Sequence, residues 1–216
     1  MTRRTADAGD GDDPNADTPA SLTPTQIATL LEASCRAIIL EVEALAPHGD
    51  YRPIPGTWCP NEVVGHLIEA DQRGFAWRIR SMLAGENPIL RTWVPSAVAA
   101  ARHDDGRDAF ELAAEFGTLR DGWLTLVRSL GPAALARPGR HPMVGEVTVR
   151  DLLHEWAHHD REHLAQLTAL TQRLVWPWMG NARRFSGPDA QVARRAPDAS
   201  GAARSASGVR RRRGLA

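Results

Sequence analysis

The chain has 216 residues, with 26 basic and 26 acidic side chains and a formal net charge of zero. That length suits one domain with tails, and the charge balance gives no compositional sign of a nucleic-acid or membrane-surface partner. All 26 basic residues are Arg, which excludes Schiff-base lysine chemistry, and no apolar run reaches the roughly 18 residues of a membrane span.

Residues 1–20 are rich in Asp, Ala, Gly, Thr and Pro and carry almost no bulky apolar side chains. Such a segment cannot bury enough surface to offset its ordering entropy, so a disordered tail is expected. The first helix begins at Thr23-Pro24-Thr25-Gln26, with a capping Thr, Pro at the first helical position and Gln three residues after the cap. Ile27, Leu30, Leu31, Cys35, Ile38, Val42 and Leu45 follow at helical spacing. A second helix starts after Cys59, again with Pro60 first and Glu62 third, and runs to about Leu83. A third spans roughly Asp108 to Leu130 and stops at Gly131-Pro132. A fourth starts at Thr148, with Asp151 three residues on, and ends before Trp176-Pro177. No sustained alternation of strand type occurs. The expected fold is all-α, a four-helix bundle over residues 21–180. Residues 181–216, ending in Arg210-Arg211-Arg212-Arg213, read as a second disordered tail. No aromatic residue lies between those arginines to stack bases, so a solvated tail is preferred to a nucleic-acid contact. Cys35 and Cys59 form no CxxC, and no charged-then-apolar export signal opens the chain, so a reducing cytoplasmic setting is expected.

The chemistry concentrates in three histidines. His159 and His163 are four residues apart on the last helix and therefore share a face. His66 lies on the second helix, at the edge of the stripe made by Val63, Leu67, Ala70, Gly74 and Trp77. Three nitrogen ligands would leave a coordination position free, the pattern of a reactive metal site. The competing reading is three core histidines bonded to their surroundings, and spacing leaves both open.

A rival motif lies five residues upstream. His154-Glu155-Trp156-Ala157-His158 matches the H-E-x-x-H pattern of zinc metalloproteases. At about 100° per residue, His154 and His158 project nearly opposite Leu152, Trp156, Leu167, Leu170 and Leu174. The apolar sector must face the core. This pair is therefore expected to face water, and the protease reading is set aside.

Three stretches together carry a family resemblance. Trp58-Cys59-Pro60-Asn61-Glu62-Val63-Val64-Gly65-His66-Leu67 resembles the opening of the second helix in the DinB-like metalloprotein superfamily. His159-Asp160-Arg161-Glu162-His163-Leu164-Ala165-Gln166 resembles the segment on that family's last bundle helix, and Arg140-His141-Pro142 with Gly145 and Thr148 resembles its lead-in. The resemblance covers roughly residues 22–180. It implies a divalent metal, Zn or Ni first, held by His66, His159 and His163. It also implies a small-molecule substrate, a homodimer, and for some members transfer chemistry with a low-molecular-weight thiol such as mycothiol or bacillithiol. The alternatives are a metal-dependent hydrolase and a non-catalytic metal-binding bundle. No catalytic residue is assigned: Glu62, Glu69, Asp71 and Glu162 are near by position, but each also reads as a cap, a solvated side chain or an ion-pair partner.

Overall fold

The computed structural model describes residues 20–186, so both expected tails lie almost wholly outside the described residues. Four long helical segments form the bundle, as the sequence predicts. The first, α1, is Pro24–Ala44. The second is composite: α2 (Pro60–Glu69) passes through a π-helical stretch, Ala70–Ala76, into α3 (Trp77–Ala84). After a short α4 (Pro95–Arg102) comes α5, Ala109–Arg128. A single turn, α6 (Pro132–Leu135), leads to an antiparallel hairpin of β1 (Pro138–His141) and β2 (Gly145–Thr148), and the bundle closes with α7, Val149–Val175. Trp176–Ser186 continues in 3-10 turns with a kink at Gly180, past the residue-180 boundary of the sequence reading. No helix among the described residues is long and apolar enough to cross a membrane.

The helix starts follow their local chemistry. Thr23 and Gln26 form a reciprocal capping box, Thr148 and Asp151 form another, and Asp108 accepts from the backbone amides of Phe110 and Glu111. At α2 the backbone N–H of Cys59 donates to Glu62 at 2.9 Å. These contacts satisfy amides that a helix terminus otherwise leaves without partners.

Three features differ from the sequence reading. The second helix is not uniform, because Ala70–Ala76 widens to i→i+5 bonding, a form concentrated at functional sites. A hairpin and α4 fill connections read as loops; their elements are too short to establish a period. Finally, α2 is not a one-faced helix. Every residue from Pro60 to Glu69 except Glu62 is buried, because Asp104, just after α4, covers its outer side at Gly65. His66 is therefore inward whichever stripe is drawn.

The core has two apolar clusters. One gathers Ile27, Leu31, Phe75, Ile79, Leu153 and Trp156, and the other Ile38, Val64, Leu67, Leu112, Phe116 and Leu167. A buried ionic knot of Asp71, Arg120 and Asp160 joins the π stretch, α5 and α7.

Candidate metal centre

The three histidines come together. His66 leaves α2 toward α7, and His159 and His163 leave successive turns of α7 toward α2. The Nε2 atoms of His66 and His159 are 3.1 Å apart, and those of His163 and His159 are also 3.1 Å apart. One ligand atom from each residue lies within 4.8 Å of the other two. His66 and His163 are each 7 % exposed.

The protonation pattern decides what this means. Nδ1 of His163 donates to Oε1 of Gln166 at 2.8 Å, which leaves its Nε2 with a lone pair. One imidazole nitrogen cannot donate and accept at once, so at most one of the two 3.1 Å contacts at His159 Nε2 is an ordinary hydrogen bond. The other contact sets like against like, or shares a proton already given away. Protonation is no remedy. Burial, then the charge of His163, would hold His66 down to about 3, and burial with the neighbouring histidines holds His159 well below the ordinary imidazole value. His163 is lowered too, by burial, with Gln166 opposing. The set is therefore neutral at pH 7, and each Nε2 can present a lone pair to the space the three share. Nitrogens sharing one ion at about 2.0–2.1 Å stand roughly 2.9–3.3 Å apart for bond angles of about 90° to 109°, so the observed spacing fits a divalent cation. The three nitrogen donors suit zinc or nickel rather than the oxygen-seeking magnesium or calcium.

Aromatic rings wall the cluster. Trp58 packs on His66 at 4.6 Å between centroids, Trp93 stacks on it at 5.8 Å, and Phe75 meets His159 edge-on at 5.4 Å. Such walls limit water and hold the imidazoles in place.

The upstream motif stays outside the site. His158 is exposed and lies 3.5 Å from Glu162. His154 corrects the expectation of free exposure: it is half-buried, because the segment before α1 crosses it. Its Nδ1 donates to the carbonyl of Arg150 at 2.8 Å and its Nε2 accepts from the Leu22 amide at 3.2 Å. Both nitrogens are occupied structurally, and no metal-ligand group including His154 or His158 occurs among the described residues.

The four nearby carboxylates are also engaged. Glu62 pairs with Arg52 and caps α2, Glu69 pairs with Arg73 and Arg102, and Glu162 faces His158. Asp71 lies in the knot. Arg120 donates to Asp71 at 2.8 and 2.9 Å and to Asp160 at 2.5 and 3.0 Å, while Trp156 Nε1 donates to Asp71 at 2.7 Å. Burial outweighs Arg120 and raises the Asp71 carboxyl to about 6. Sequence reasoning missed this knot. The available signal was Asp160, a charged residue on the inward face between the two ligands. Neither thiol is a nucleophile, since burial pushes Cys35 and Cys59 up to about 11.

The sequence profile of the DinB superfamily matches residues 46–167. The chain belongs to the DinB superfamily. The match includes all three histidines and more than half of the chain. Similar proteins include YfiT of Bacillus subtilis, 26 % identical over 122 residues that cover 56 % of this chain and 68 % of that protein. A relative from Oceanobacillus iheyensis is 25 % identical over 122 residues that cover 56 % of this chain and 69 % of that protein. Both carry the name "putative metal-dependent hydrolase". The solved structure of YfiT, a protein with an unusual four-helix bundle topology, superposes with a TM-score of 0.65 at 22 % identity, covering 72 % of this chain and 91 % of that one. That likeness establishes a shared fold with this DinB-superfamily chain.

Proposed function

We propose that this chain is a divalent-metal-dependent hydrolase whose ion is held by Nε2 of His66, His159 and His163. The observation that carries the reading is the convergence of three neutral imidazoles whose contacts hydrogen bonding cannot satisfy in full. The names of the relatives agree with it. A bound ion would supply a Lewis acid that polarises a carbonyl and acidifies water or a thiol. The chain's own residues do the rest. Gln166 fixes the His163 tautomer so that Nε2 faces the site. Trp58, Trp93 and Phe75 hold the rings and restrict water. Three protein ligands leave room for the reacting group.

Transfer of a low-molecular-weight thiol is the second reading. It is favoured by the commitment of Glu62, Glu69, Asp71 and Glu162 to other partners, since a thiol acidified by the ion needs no carboxylate base. Metal analysis of untagged protein is expected to give about one zinc or nickel per chain, abolished in His163→Ala while the helical circular dichroism is retained. Ester and amide substrates, and mycothiol or bacillithiol with an electrophile, then separate the two reactions. Metal-free wild-type protein would overturn both.

A further inference from the structure

A cavity of about 370 Å³ opens between α3, the hairpin and the first turns of α7, lined by none of the three clustered histidines. Its volume falls in the range of small-ligand sites, which begins near 300 Å³. Leu90, Val147 and Leu152 give it an apolar lining. Two opposite charges face into this setting. Arg78 comes from α3 and Glu155 from α7. Glu155 holds up the Arg78 guanidinium against the lowering by burial. Yet no ion pair joins them among the described residues. Arg78 Nε is buried with no hydrogen-bond partner, and its terminal nitrogen reaches only the Arg91 carbonyl, at 3.3 Å. A buried donor without a partner is costly, and a ligand acceptor would satisfy it. His141 adds a second donor to the lining. Its Nδ1 accepts from the Met143 amide at 3.3 Å, so the neutral ring carries its proton on Nε2.

We propose that this cavity binds an apolar α-amino acid, free or as the end group of a larger molecule, with its carboxylate on Arg78 and His141 and its ammonium on Glu155. A cation and an anion that line one apolar space without pairing to each other match a zwitterion with a hydrocarbon side chain. A simple anion would make no use of Glu155, and a simple amine would leave the buried Arg78 Nε without an acceptor. Asp151 also lines the cavity, but one of its oxygens accepts from the Thr148 amide at 2.8 Å, so Glu155 is the freer anion. Glu155 stands one helical turn before His159, which places the ligand beside the histidine cluster without depending on it.

The test is calorimetry on the full chain, with and without chelator treatment, using L-leucine, 4-methylpentanoate and 3-methylbutylamine. Leucine is expected to bind in both preparations, and each one-ended analogue about tenfold more weakly or not at all. Arg78→Met should abolish leucine binding. Glu155→Gln, at an exposed position where folding is not at stake, should weaken leucine about tenfold and leave 4-methylpentanoate unchanged. Failure of leucine to bind at millimolar concentration, or equal binding by Glu155→Gln, would overturn the proposal. Binding lost only after chelation would place the ligand on the metal centre instead and would equally overturn it.

Discussion

A β-carbon built on Gly65 would stand 1.8 Å from Oδ2 of Asp104. That carboxylate has little freedom to retreat. It is 1 % exposed and bound by Arg102 at 2.5 and 3.1 Å and by Arg107 at 3.2 Å. The residue next to a candidate metal ligand therefore has no room for a side chain. Gly65→Ala is expected to destabilise the protein by about 1–3 kcal/mol, the usual effect of overpacking, and to weaken metal binding by displacing His66. Gly122→Ala is the control: it lies in α5 with nothing within 4 Å of the added carbon, and should stabilise by about 0.5–1 kcal/mol. Thermal melts and metal titration of both variants check the pair.

The Asp71–Arg120–Asp160 knot is expected to tolerate replacement as a unit better than the loss of its cation. Arg120→Met would leave two fully buried carboxylates without their partner and should cost about 3–5 kcal/mol. Adding Asp71→Asn and Asp160→Asn to that change should recover part of the loss. Urea unfolding of the single and triple variants measures both.

The metal-free protein should lose stability as pH falls below about 6.5. His66 titrates near 3 in the fold against 6.5 ordinarily, so in that window the unfolded chain binds the extra proton. His159 and His163 are shifted in the same direction. Asp71 acts oppositely: raised to about 6 from 3.8, it favours the fold as it is protonated. Four lowered histidines, His141 among them, against one raised aspartate leave the acid side destabilised. Melting temperature measured from pH 7.5 to 5 after chelation should decline, and more shallowly in His66→Gln. A flat profile in wild type would contradict the depressed imidazoles.

His154→Ala and His158→Ala should each leave metal per chain unchanged. His154→Ala should cost about 1 kcal/mol through its bond to the Leu22 amide, and His158→Ala close to nothing. Elemental analysis and melting curves distinguish these outcomes from the protease-type motif.

The parts legible in the sequence are those whose physics is local. Thr23, Cys59, Asp108 and Thr148 mark helix starts because a cap is made within three or four residues of itself. His159 and His163 were legible because helical spacing fixes a shared face. What escaped depends on distant partners. Arg120 is of a residue type usually found at the surface, yet it is 0 % exposed, and only the carboxylates from two other helical segments make that tolerable. His154 projects away from the leucine stripe, yet Leu22, 132 positions earlier, covers it. Nor does any periodicity announce the short hairpin, whose turn needs Gly145 at a φ of +84°.

The π stretch Ala70–Ala76 sets the rotational phase between two functions of one continuous rod. Its wider turns carry a residue more than a regular helix would need. If the stretch kept all its residues but tightened to regular α-helix, His66 would swing by about 100° relative to Ile79 and Met82. The lower half would still fit the core while the ligand pointed elsewhere. That length of chain works as a key cut between two locks, and its wide winding keeps both turning together.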